Sequence, residues 1–293
     1  MELGLALPNL GRHRSAASML TLARAAEELG FDSVWTSEHV VVPAEMFDPY
    51  GDTLDSLTTL AYVAAATERV RLGTSVLILP LHEPVLLAKQ ASTLHALSGG
   101  RLQLGVGVGW IAEEFELMGA DFEGRGQVMD RSVAVLRSLL AGDADATLVP
   151  PALVGLPFAP PVESPLPILV GGHAPSALRR AARLGDGWHG VWLEPDELPS
   201  YVAATRAQSA RPGFRISVRT DFRIVDPSEA AGGVPGLVGR PDAIAAKMLQ
   251  YRAAGVDELV IDFMNRDHGG VPDLGFILDQ LHRFRAEVPA DLS

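Results

Sequence analysis

The chain has no cysteine, and that absence excludes more chemistry than any other feature of its 293 residues. Disulfides, thiolate metal sites and cysteine nucleophiles are ruled out, and a reducing compartment is compatible. Positive charge is also scarce. Lys and Arg number 24 against 36 Asp and Glu, a formal net charge of −12. A nucleic-acid partner requires a basic footprint for its phosphates, so that class is set aside. A small anion held by backbone amides and local arginines stays open. No apolar run approaches the roughly 18 residues of a membrane helix, so no membrane partner is expected. The N-terminus, Met1 to Pro8, shows no basic leader and reads as a first strand, which suits a cytoplasmic protein.

Catalytic signatures are missing as well. There is no H-E-x-x-H, and the eight histidines (13, 39, 82, 95, 173, 189, 268, 282) show no metal-ligand spacing, so no metal is expected. Gly73-Thr74-Ser75-Val76-Leu77 lacks the closing glycine of a nucleophile elbow. The paired Glu113 and Glu114 fall early in a helix-like stretch and read as a solvated face.

What is present is a rhythm. Hydrophobic residues make up 47% of the chain, enough for a large core. Three stretches share one order: a helix-like run, a glycine, an aspartate, then a short apolar strand. They centre on Gly30 and Asp32, on Gly185 and Asp186, and on Gly255 and Asp257. The glycine suits a left-handed helix cap. Short apolar strands suit a parallel sheet buried on both faces.

Between these joints the pattern predicts strands at 3–7, 33–36, 69–76, 101–105, 167–170, 188–192, 214–225 and 259–263. Helices alternate with them at 15–29, 55–66, 84–97, 127–140, 176–184, 197–210, 241–254 and 273–288. Ser15 and Asp55 serve as N-caps, and Pro84 and Pro241 sit in first turns. The expected fold is α/β, a TIM (β/α)8 barrel, with 1–293 as one domain. Residues 143–165, with six prolines, form an excursion between strands four and five, expected over one mouth of the barrel.

The C-terminal strand ends of such a barrel carry its chemistry. After strand two, Glu38 and His39 offer a proton-exchanging pair. Thr74 and Ser75 after strand three offer two hydroxyls to a ring carbonyl or amide. Gly105, Gly107 and Gly109 strip one face of strand four, so a flat ring could lie on bare backbone with Trp110 as a wall. The third glycine of G-x-G-x-x-G would fall at Trp110, so this is not a dinucleotide fingerprint. Gly171, Gly172, His173 and Ser176 lead into a helix N-terminus, where free N–H groups suit a phosphate.

Taken in order, Ser37-Glu38-His39, Arg69 to Val76, Leu104 to Trp110 with Glu113-Glu114-Phe115, and Val170 to Gly172 through Gly185 to Trp188 resemble the bacterial-luciferase-like monooxygenase superfamily. The closest resemblance is to its branch using the deazaflavin coenzyme F420. It implies a flavin or deazaflavin in the barrel mouth and a cis peptide at Ser75–Val76, with Val76 against the ring. It implies that His39 acts as base or bonds substrate, as in F420-dependent sugar and alcohol dehydrogenases. One position departs: Trp110 stands where the sugar-phosphate dehydrogenases carry an acidic residue, so a glucose-6-phosphate activity is not expected. The activity implied is F420-dependent hydride transfer to or from a small-molecule substrate. An FMN-dependent monooxygenase and a flavin-binding protein without turnover are the alternatives, and relatives are often homodimers.

Overall fold

The three glycine–aspartate joints build the barrel. In the computed structural model, which describes residues 1–11, 14–142, 145, 147–226, 235–264 and 272–288, each aspartate makes the same bond. Asp32 Oδ2 accepts from the Leu3 N–H at 2.8 Å, Asp186 Oδ2 from Ile168 at 2.9 Å, and Asp257 Oδ2 from Ile216 at 2.8 Å. Each carboxylate ties the start of one strand to the start of the strand before it. The glycines differ among themselves. Gly30 and Gly255 have φ of 74° and 92°, the left-handed cap the sequence predicts. Gly185 is extended instead, at φ −83° and ψ 160°. Glycine is required there by crowding: a β-carbon would lie 2.7 Å from Gly187 O and 2.8 Å from Ala181 O.

Eight parallel strands result: β1 (Glu2–Ala6), β2 (Ser33–Thr36), β3 (Arg71–Thr74), β4 (Leu102–Gly107), β5 (Ile168–Gly171), β6 (Gly187–Val191), β7 (Arg215–Ile224) and β8 (Glu258–Asp262). They pair in chain order and β8 closes on β1, with Leu3 opposite Leu259. The fold is a TIM barrel, as expected. Short segments at Leu77–Ile78 and Leu237–Gly239 pair in parallel with the ends of β4 and β7.

Around the barrel stand α1 (Ala16–Glu28), α2 (Ser56–Ala64), α3 (Pro84–Leu97), α4 (Ala112–Leu117), α5 (Arg125–Leu140), α6 (Pro175–Leu184), α7 (Leu198–Arg206), α8 (Pro241–Ala253) and α9 (Leu274–Glu287). The expected caps hold. Ser15 Oγ accepts from Ser18 N at 3.0 Å and Asp55 Oδ1 from Thr58 N at 2.7 Å. Short α4 is the helix-like stretch that carries Glu113 and Glu114, and α7 ends at Arg206 rather than at 210.

Two apolar cores follow from strand alternation. Residues such as Leu3, Leu5, Val34 and Leu72 point outward and pack under the helices. Ala6, Trp35, Leu169 and Val260 form a separate cluster inside the barrel. Trp35 fills the centre because its neighbours yield space: a β-carbon on Gly73 would lie 2.3 Å from its ring. Below it, at the N-terminal strand ends, Arg71 bonds Glu2 at 2.7 Å and Glu258 at 3.2 Å, and Arg215 pairs with Glu2. Glu258 is fully buried and accepts from Ser33 Oγ at 2.5 Å.

The proline-rich excursion does lie between β4 and β5, but not over the mouth. It connects the C-terminus of α5 to the start of β5, so it belongs to the N-terminal end of the barrel. There Lys89 and His95 of α3 hold it, by bonds to Ala159 O at 2.5 Å and Ser164 Oγ at 2.9 Å. The mouth between β4 and β5 is bordered instead by the stretch carrying α4. Residues 227–234, between β7 and the Leu237–Gly239 segment, lie outside the described residues.

Candidate active site

Five strand ends contribute to one polar cluster at the open end. Arg219 of β7, 4% exposed, is its centre. Its Nε donates to Asp262 Oδ2 at 2.8 Å, and Nη2 lies 2.7 Å from the same oxygen. Nη1 donates to Ser37 Oγ at 2.7 Å and to the Ser75 carbonyl at 3.2 Å. Ser75 Oγ lies 2.8 Å from His189 Nε2, and His189 Nδ1 lies 3.0 Å from Ser217 Oγ. Burial, then the nearby Arg219 and His173, pulls the His189 imidazole down to a pKa of about 3. The neutral ring stacks on Trp35 with centroids 4.9 Å apart, joining this cluster to the core beneath.

The Ser75–Val76 peptide is cis. The segment bulges toward β4, and the glycines there make room for it. A β-carbon on Gly105 would lie 1.9 Å from Thr74 O, and one on Gly107 would lie 2.6 Å from Val76 Cγ2. On Gly109 it would lie 2.7 Å from both Ile78 and Phe115, and on Gly171 3.2 Å from Val76 Cγ1. The glycine face of β4 is therefore covered, not bare, which corrects the expectation of a ring on naked backbone. Val76, half-buried, is the surface presented in its place. The two hydroxyls are also engaged within the wall. Thr74 Oγ1 donates to Gly105 O at 2.7 Å, and Ser75 Oγ is taken by His189 and Arg219.

Glu38 and His39 turn apart, as neighbours on an extended segment do. Glu38 Oε2 accepts from Ile78 N at 2.5 Å, and both its oxygens lie 3.0 Å from His82 Nε2. Burial pulls the His82 imidazole down, but the Glu38 hydrogen bond and charge outweigh it and the net shift is upward. Glu38 is thus not the partner of His39. That partner is Glu114 of α4, whose Oε2 lies 3.0 Å from His39 Nδ1. Glu114 Oε1 also accepts from Val40 N at 2.7 Å. Glu114 is fully buried, so only Glu113 belongs to a solvated face. A carboxylate accepts and does not donate, so His39 Nδ1 carries the hydrogen, and in the neutral ring Nε2 is the acceptor. Tyr50 and Trp110 stand around this imidazole at centroid distances of 5.1 and 6.1 Å, and 5.6 Å from each other. Trp110 is 58% exposed.

At the end of β5, Gly172 has φ 109° and its carbonyl accepts from Trp188 Nε1 at 2.9 Å. Ala174, not Ser176, occupies the cap position of α6, and no side chain caps it. Ser176 is exposed in the first turn, where backbone N–H groups lack intrahelical acceptors. His173 Nε2 accepts from Val191 N at 3.2 Å. Burial lowers its pKa, with Glu197 opposing.

Three members of the site, His189, Arg219 and Asp262, escape the motif reading, and Glu114 is misread there as a solvated residue. A signal existed for one of them. Ser217 and Arg219 alternate with Ile216 and Val218, placing polar groups on the inner face of β7. Among the described residues no group of His, Asp and Glu side chains converges to hold a metal, and no helix is long and apolar enough to cross a membrane. His13 and His268 lie outside the described residues.

Residues 1–232 match the family described as luciferase-like monooxygenase. The chain belongs to that family. One luciferase-like relative, a putative coenzyme F420-dependent oxidoreductase of Mycobacterium tuberculosis, is 32% identical over 245 residues, covering 76% of this chain and 65% of the relative. Among solved structures, a monooxygenase from Streptomyces bottropensis is similar with a TM-score of 0.77 at 22% identity, covering 98% of both chains. A coenzyme F420-dependent tetrahydromethanopterin reductase from Methanopyrus kandleri gives 0.76 at 18%, covering 100% of this chain and 99% of that one. These two structures share the barrel fold with this chain.

Proposed function

We propose that this luciferase-like protein is a coenzyme F420-dependent oxidoreductase. Its substrate is a small carbonyl compound, alcohol or activated alkene. The observation that carries the reading is the His39–Glu114 pair, seated beside Tyr50 and Trp110 at the open end of the barrel. A planar ring would find two surfaces at the mouth. Val76 offers an apolar floor that Gly105, Gly107 and Gly171 accommodate, and Trp110 offers an exposed aromatic wall. The amides from Gly171 to Ser176 suit an anionic group on the same ligand.

When bound, the deazaflavin supplies the carbon that gives or takes hydride. The chain supplies the rest. His39 Nε2 takes or gives the substrate proton, and Glu114 keeps the imidazole in the tautomer that permits it. Tyr50 and Trp110 keep water from that nitrogen. Arg219, through Ser75, holds the segment on which the ring lies. Trp110 provides a ring face instead of a second proton donor, so a substrate needing one proton transfer is favoured.

Titration of the purified protein with F420 and with FMN, followed by absorbance and fluorescence, tests this. Tight F420 binding with negligible FMN binding is expected. The reverse would assign the protein to FMN-dependent monooxygenation, and binding of neither would remove the ring from the mouth. His39→Ala should keep cofactor affinity and lose turnover; an unchanged rate would leave a flavin-binding protein without catalysis.

A further inference from the structure

We infer that the substrate seat beside His39 selects a cation, an amine or ammonium group on an apolar frame, and turns anions away. The position of the reacting group rests on the proposed function; the charge preference stands on the rim itself.

Tyr50 and Trp110 form an aromatic corner. Their centroids lie 5.6 Å apart with the rings at 78°, and Trp110 meets His39 at 84°. The indole is exposed, and among the described residues no lysine or arginine stacks on it. An aromatic face is negative and draws a cation, tryptophan most strongly. His39 adds an unfilled acceptor. Its side chain is only 9% exposed, yet Nε2 has no hydrogen-bond partner among the described residues. A buried polar atom left unpaired is costly, and a ligand hydroxyl would satisfy it.

The charge around this corner has one sign. Residues 40–55 follow β2 and carry four Asp or Glu; residues 108–124 follow β4 and carry five. Neither segment holds a Lys, Arg or His. Glu114 ties the two together by accepting from Val40 N at 2.7 Å. Glu45, Glu113, Glu116 and Glu123 are exposed and have no ion-pair partner among the described residues. Neighbouring cations are engaged: Arg14 pairs with Asp52, Arg219 with Asp262, and Arg125 lies over Phe122 at 3.8 Å. An acidic rim alone defines no ligand, but this one borders an uncovered indole and an open acceptor. It gathers cations and repels anions within about one Debye length, ~10 Å at 0.1 M salt.

The same two segments expose Val40, Phe47 and Leu117. Leu117 stands one turn beyond Glu114 on the same side of α4, next to the Val40 that Glu114 holds. A bare cation would keep its water and ignore these groups. A cation on hydrocarbon would use them and the corner together. Attraction of one charge and repulsion of the other both widen the discrimination.

Three probes share one frame and differ in one charge: benzyl alcohol, its para-aminomethyl derivative and its para-carboxy derivative. Calorimetry measures each against the protein alone and with F420 present, at low and high salt. The amine should bind roughly tenfold more tightly than the neutral alcohol, and the carboxylate most weakly. High salt should narrow the gap. Trp110→Leu should cut the amine's advantage by roughly fivefold. Glu113→Gln/Glu116→Gln should cut it by roughly twofold to threefold and remove most of its salt dependence. All three positions are exposed, so both variants should fold, which circular dichroism checks.

Equal binding of amine and neutral alcohol, tighter binding of the carboxylate, or no binding of any probe overturns the inference. So does an amine preference that neither variant reduces. F420 binding without a charge preference would defeat this inference and leave the proposed function. A charge preference without F420 binding would defeat the proposed function and leave the cation seat.

Discussion

At the closed end of the barrel two arginines face two glutamates beneath Trp35; at the open end one arginine–aspartate pair lies under a rim of aromatic rings. The closed-end groups mainly bond one another and neighbouring side chains at strand starts: Arg71 and Arg215 with Glu2 and Glu258, and Glu258 with Ser33. The open-end pair reaches outward. Arg219 bonds Ser37 and Ser75, each one residue from a group that shapes the mouth. Similar chemistry therefore does two jobs. Below, it plugs a sheet whose inner face is too crowded for larger apolar side chains. Above, it holds two loop starts in fixed relation while Glu38 braces Ile78 and Val76 stays half-buried beside β4.

Breaking each pair separately is the harshest test. Glu258→Ala should cost about 3 kcal/mol of folding stability, since it removes a buried carboxylate and leaves the part-buried Arg71 and Arg215 with Glu2 alone. Ligand affinity of the folded fraction should not change. Asp262→Ala should cost a similar amount and, in addition, weaken cofactor binding more than tenfold. Chemical denaturation paired with ligand titration reads both, and a folded Asp262 variant that binds like wild type would erase the distinction between the ends.

Next in size is Gly107→Val. The added side chain drives into Val76, and overpacking of this kind costs about 1–3 kcal/mol. Ring binding should be lost while the protein stays folded, as cofactor titration and circular dichroism would show.

Two histidines sharpen the contrast through pH. His189 has a folded pKa far below its unfolded value near 6.5, so the unfolded chain binds the extra proton first. Its contribution is intact above pH 6.5 and is lost as pH falls toward the folded value, at about 1.4 kcal/mol per pH unit. His82 has a raised folded pKa, so its contribution is full below 6.5 and disappears as pH rises through that higher value. Denaturation curves at pH 7.5 and 5.0 should show a flatter acid loss for His189→Asn and a steeper one for His82→Gln. Identical slopes in all three proteins would contradict the buried-histidine account.

The smallest expected stability effect is at Glu114→Gln, about 1 kcal/mol. Its diagnostic readout is kinetic. Turnover should fall by roughly tenfold or more while cofactor affinity holds, and the pH profile of kcat should shift. A normal profile would make Glu114 a purely structural residue.

The sequence made the repeating parts legible. Gly30, Gly255, Ser15 and Asp55 act through bonds made within a few residues, so local pattern was enough to find them. Gly185 was found for the wrong reason, because crowding by a carbonyl leaves the same mark on a sequence as a left-handed turn. The candidate site was legible in some of its residues but not in their pairings. His39 was visible, whereas its partner Glu114 lies 75 positions away, and no spacing rule spans that distance. Glu38, the adjacent carboxylate, was misleading because proximity along an extended chain is separation in space. The proline-rich stretch was misplaced for a topological reason: a connection that leaves a helix and enters a strand must lie at the end opposite the chemistry.

That last placement offers a practical handle. Gly155 sits in this stretch with φ 76° and nothing within 4 Å of where a β-carbon would stand. An affinity peptide or a fluorescent reporter spliced in at that point would hang from the underside of the molecule, and an immobilised or labelled enzyme made this way would keep its catalytic entrance clear.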